Sequence, residues 1–122
     1  MSEYELADVI ASYSVAAMTA MTLYLTAVTA YLVAAFSAGA RLSRAQVVIV
    51  NALFVFVSGF FLYGTAGYFY RQLQYVHELR LLAPNHHLTL NIETIGFIAS
   101  VEFLGIIASL YFMWSIRHPR SE

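Results

Sequence analysis

Residues 91–116 read NIETIGFIASVEFLGIIASLYFMWSI. The run is long enough to cross a bilayer, because about 20 apolar residues span the hydrocarbon core as a helix. Near its middle stands a carboxylate, Glu102. An ionisable group at that depth costs about 2.5–3.5 kcal/mol even on the mild insertion scales. It therefore requires a proton, a partner or a polar cavity, and the rest of the chain must supply one of them.

The surrounding composition agrees with a membrane setting. Of the 122 residues, 61% are hydrophobic and only 11% charged, against about a quarter charged in an ordinary soluble domain. With a mean hydropathy of +0.71, this excludes a soluble globule and a disordered chain alike. The net charge of −1 offers no basic surface to nucleic acid. All six cations are arginine, and the absence of cysteine removes disulfides, thiolate metal sites and thiol nucleophiles. The first residues, MSEYELAD, are acidic where a secretory signal would be basic, so the first apolar segment is expected to be retained as a span.

Two further apolar runs cover about 9–38 and 45–70, and the third covers about 92–116. Without water to satisfy backbone groups, all three are expected to be α-helices, and their continuous rather than alternating apolarity excludes a small barrel. The expected fold is an all-α integral membrane protein forming one three-helix domain over residues 1–122. Its first two spans should make a long antiparallel helical hairpin extending beyond the bilayer. Ser43-x-x-Gln46 is a capping-box pattern at the start of the second helix, and Gly39 suits the end of the first. Beyond the second span, residues 71–82 keep Leu73, Val76, Leu79 and Leu82 among Gln72, Gln74 and Glu78, the pattern of an amphipathic extension. Pro84 and the Asn85-His86-His87 segment then predict a loop over about 83–90. Arg41, Arg44, Arg117 and Arg120 lie on one side, and Glu3, Glu5 and Asp8 on the other together with Arg71 and Arg80, a modest bias. That bias predicts a cell membrane, read as a bacterial inner membrane, with the N-terminus outside and the C-terminus in the cytoplasm.

Helix faces add detail. On the first span, Ser12, Thr19, Thr22, Thr26 and Thr29 form one stripe and Ala17, Ala20, Tyr24, Ala27, Tyr31 and Ala34 another. Between them Met18, Met21, Leu25, Val28 and Leu32 suit lipid contact. The second span carries an aromatic ridge (Phe54, Phe61, Tyr68, Tyr75) and a polar line (Asn51, Ser58, Thr65), both with a period of seven. On the third, Gly96-x-x-x-Ser100 and Gly105-x-x-x-Ser109 are small-residue patterns that favour helix association. So many packing faces predict a homo-oligomer or a larger membrane-protein complex, with membrane lipids around it. Counted from their helix ends, Thr26, Ser58 and Glu102 all lie about 20 Å deep at 1.5 Å per residue. They are expected to form one polar layer, and Asn51 to bond to a neighbouring helix.

The structural reading of Glu102 is a protonated carboxyl held by a hydroxyl such as Ser58 or Thr26. The functional reading is a proton or cation pathway. His77, His86 and His87 are the candidate metal ligands, but they lack the spacing of a recognised motif, and a solvated loop without metal is the preferred reading. No cofactor is expected, and no phosphate loop, dinucleotide fingerprint, HExxH or GxSxG motif points to an enzyme. The expected role is structural, accessory or regulatory. A channel built on Glu102 is the first alternative, and a holin-like pore former is the second.

Overall fold

The computed structural model of the chain describes residues 2–84 and 91–119, so His86, His87 and most of the expected loop lie outside the described residues. Three helices account for it: α1 (Glu3–Ala38), α2 (Arg44–Leu82) and α3 (Ile92–Arg117), with a 3-10 turn at Gly39–Arg41 between the first two. All three are long and apolar enough to cross a membrane.

Each helix starts on a side chain that occupies an otherwise unpaired backbone N–H. Ser2 accepts from the Glu5 amide, Ser43 and Gln46 form the reciprocal capping box, and Asn91 accepts from the Thr94 amide. The first helix begins six residues before the expected span. Ser2 caps it, Glu3 and Glu5 favour its positive first turn, and Leu6 and Ile10 are buried against Val76 and Leu79. That last contact shows α1 and α2 running antiparallel to their far ends, with α2 unbroken from Arg44 to Leu82.

The core follows a period of seven on every helix, the spacing that keeps one seam facing its neighbours in left-handed packing. Ala17, Tyr24 and Tyr31 supply it from α1, Ser58 and Thr65 from α2, and Ile95, Glu102 and Ser109 from α3. The alanine–tyrosine stripe of α1 is thus the packed one up to Tyr31, while Ala34 is exposed and Ala35 is buried in its place. The threonine stripe is exposed along its length. Of the residues expected to meet lipid, Val28 and Leu32 instead pack on the core, because α3 sits over that side of α1. The aromatic ridge of α2 faces α1: Phe54 stacks on Tyr31 with ring centroids 4.0 Å apart, and Tyr75 stacks on Tyr13 at 5.7 Å.

At the turn, Gly39 caps α1 in ordinary right-handed geometry, so its lack of a side chain serves packing and not backbone conformation. A Cβ there would lie 3.0 Å from Met113 Sδ and 3.4 Å from Ile116 Cγ2. This close approach lets Arg117 Nη1 donate to the carbonyls of Gly39 (2.9 Å) and Leu42 (2.6 Å), tying the end of α3 to the hairpin turn. Replacing Arg117 with methionine leaves both carbonyls unpaired. The variant is expected to lose about 1.5–3 kcal/mol, the worth of hydrogen bonds to a charged group. A denaturing-detergent titration of the reconstituted protein measures it.

Candidate functional site

The site grows from the requirement that polar groups facing the seam find partners inside the chain. On α2 the heptad line Asn51, Ser58, Thr65 continues to Gln72. On α3 Glu102 and Ser109 are buried, and on α1 Tyr24 and Tyr31 bring phenol hydroxyls into the same seam. Because α3 runs antiparallel to α2, these residues sort into successive polar levels seven residues apart, about 10 Å along the axis. Gln72 stands at one end, where its Oε1 is buried without a partner among the described residues. Thr65 then interacts with Glu102, whose backbone carbonyl takes the Tyr24 hydroxyl, and one heptad further along α2 and α3 come Ser58 and Ser109. Asn51 and Tyr31 complete the series, the Tyr31 hydroxyl donating to Asn51 Oδ1 at 2.7 Å. The side chains between levels are apolar, Ile106 and Phe54 among them.

Glu102 is 3% exposed, and neither carboxyl oxygen receives a hydrogen bond from a described residue. The nearby donors are committed elsewhere. The Tyr24 hydroxyl donates to the backbone carbonyl of Glu102 at 2.5 Å. Thr65, the side chain nearest in interaction to the carboxyl, donates to the Phe61 carbonyl at 2.8 Å. Ser58 and Ser109 likewise donate to carbonyls one turn back in their own helices. What these hydroxyls still offer is lone pairs. Such a pocket accepts a proton from a neutral carboxyl and has no donor for a carboxylate. On one flank Glu102 helps line a hollow of about 160 Å³, with Tyr24 and apolar side chains of α1 and α3, while its carboxyl oxygens stay buried.

The four expected site residues are therefore not one layer. Glu102 and Ser58 are buried in the same seam, but Ser58 lies one heptad away from the level of Glu102, where Thr65 stands instead. Asn51 bonds across to α1 as expected. Thr26 is outside the site: it is exposed, and its hydroxyl returns to the Thr22 carbonyl at 2.9 Å. Equal depth put it beside Glu102, but its angular position on α1 is nearly opposite Tyr24. His77 is exposed on the α2 extension, and among the described residues no three His, Asp or Glu side chains converge.

Tyr24, Thr65, Gln72 and Gly105 are the participants that depth counting passed over. The period of seven pointed to Gln72, and a phenol in mid-span pointed to a buried acceptor. Gly105 is required because the Tyr24 hydroxyl passes over it, and a Cβ there would collide with that hydroxyl. This contact predicts a coupled pair. Gly105→Ala should destabilise the protein, whereas the same change in a Tyr24→Phe background should cost little because the clashing hydroxyl is gone. A coupling energy of about 1–3 kcal/mol in the double-mutant cycle is expected.

Matched against protein-family models, curated proteins and solved structures, the chain finds no relative, so its role must be read from this three-helix seam and the faces around it.

Proposed function

We propose that this is an integral membrane protein with a structural, accessory or regulatory role, which associates with itself or with a larger membrane complex. The observation that carries the reading is the enclosure of Glu102. The group most able to do chemistry is sealed among three helices, beside hydroxyls whose protons are already spent on backbone carbonyls. A neutral carboxyl there needs a lone pair to take its proton, Thr65 is the hydroxyl that interacts with it, and a bond between them would fix how α3 seats against α2, which is a packing task. Buried hydrogen bonds between membrane helices average about 0.6 kcal/mol, so the contribution is register more than bulk stability.

The association surface in this reading is the threonine stripe of α1. Thr22 and Thr26 are exposed and their hydroxyls bond to their own helix at 2.9 Å each, leaving a low surface, with a shallow hollow at Thr19 and Thr22, on which another helix can lie closely. Orientation follows the arginines. Arg117 bonds to the hairpin turn, so it shares an end with Arg41 and Arg44. That clustering supports a cytoplasmic turn and C-terminus, an external N-terminus, and a hairpin whose far end, built on Leu6, Ile10, Val76 and Leu79, stands clear of the hydrocarbon.

The chain has no cysteine, so a single Thr26→Cys substitution reports on this face without background. In native membranes it is expected to form a disulfide-linked dimer or a cross-link to one co-purifying protein. A chain that remains alone under those conditions would sink the reading. The second reading, a proton or cation pathway, draws on the polar levels from Gln72 to Asn51. For it, Glu102→Gln should abolish proton flux in reconstituted vesicles. For the packing role, Glu102→Gln should leave both folding and assembly intact, with no flux to lose.

A further inference from the structure

We infer that the side of the α1–α2 hairpin not lined by α3 holds a specific phospholipid site, with the headgroup phosphate on Arg71 and an acyl chain in an adjoining apolar groove. Two hollows make up the groove. One, of about 320 Å³, is lined by residues that include Ala20, Leu23, Phe60 and Gly64. The other, of about 330 Å³, shares Phe60, Gly64 and Tyr68 with it and ends at Gly67, Tyr63 and Arg71. The two are continuous and run along the helix axes for about 16 Å between the levels of Phe60 and Arg71. Glycine forms the floor. A Cβ on Gly64 would make ordinary contacts, 3.8 Å to Ala20 and 4.0 Å to Tyr68, and one on Gly67 would meet nothing within 4 Å, so the furrow is open space at Gly67.

Chemistry at the mouth selects the occupant. Arg71 is exposed and lines this end of the groove, with the phenols of Tyr13, Tyr75 and Tyr68 as its electrostatic neighbours. The three rings themselves adjoin, Tyr13 lying 6.2 Å from Tyr68 and 5.7 Å from Tyr75 between centroids. No carboxylate stands among these partners, so the guanidinium is oriented by phenols while its charge is left unneutralised by the described residues. A planar guanidinium with free N–H groups matches the oxygens of a phosphate. Depth agrees as well. Arg71 lies 27 residues beyond Arg44, about 40 Å along α2, which is the bilayer thickness counted between headgroup layers. A phosphate and an acyl chain attached to it are therefore at hand at this height, and the groove descends from Arg71 in the direction an acyl chain takes.

The test is retention of lipid by the full chain through mild-detergent extraction, read by native mass spectrometry. The protein is reconstituted beforehand in vesicles of the phosphate-free bilayer lipid digalactosyldiacylglycerol containing phosphatidylglycerol, diacylglycerol or water-soluble glycerol phosphate. One phosphatidylglycerol is expected to stay bound, whereas diacylglycerol, without a phosphate, and glycerol phosphate, without a chain, should be lost. Arg71→Gln should weaken retention about tenfold, the effect of losing one charge-assisted pair. Gly67→Leu puts a side chain into the groove at a position where a Cβ meets nothing within 4 Å, and should weaken it similarly. Arg44→Gln, at the other end, should not. Equal retention in all variants would reduce the contact to ordinary surrounding lipid and overturn the proposal. So would a dimer that Gly67→Leu dissociates, since a second copy would then occupy the groove.

Discussion

A carboxyl group placed inside a membrane helix constrains everything packed around it. Glu102 can be buried only if its surroundings match its protonation state, and here the matching is done by subtraction. Tyr24 and Thr65 approach it, yet each gives its proton to a backbone carbonyl, so what faces the carboxyl is lone pairs. The Tyr24 hydroxyl must cross α3 to reach the Glu102 carbonyl, and only a glycine at position 105 leaves room for it. One buried group thus fixes the identity of a residue on α1, another on α2 and a third on α3.

The same logic extends along the hairpin. Polar residues recur every seven positions on α2, and Asn51, Ser58 and Thr65 each find a complement one helix away or one turn back. Apolar side chains separate the levels, which suits helix registration better than a continuous polar thread. Packing of this kind needs thin places, and glycine and alanine provide them at Gly39, Ala17, Ala20 and Ala35. At the turn the thinness of Gly39 admits Met113 and Ile116, and that contact brings Arg117 onto the exposed carbonyls of the bend.

Glycine serves a different purpose at the opposite end. Gly64 and Gly67 do not draw helices together: their missing side chains leave a furrow beside Arg71. The hairpin therefore has a packed face toward α3, an exposed threonine stripe, and a groove that begins beside that stripe at Thr19 and has a cation at its head.

Much of this was legible in the residues alone. Three runs of apolar residues require three helices, because an unpaired backbone is intolerable in hydrocarbon, and caps at Ser43 and Gln46 follow from local hydrogen-bond geometry. The heptad line of α2 and the alanine–tyrosine stripe of α1 were equally plain, since periodicity is a property of one helix. Relative rotation between helices is not. Depth counting set Thr26 beside Glu102, whereas the packed structure turns Thr26 outward and puts Tyr24 and Thr65 there. Sequence by itself determined which groups each helix carries and at what height. Only the tertiary structure decided which of them meet, because azimuth is set by how three surfaces interlock and not by any one of them.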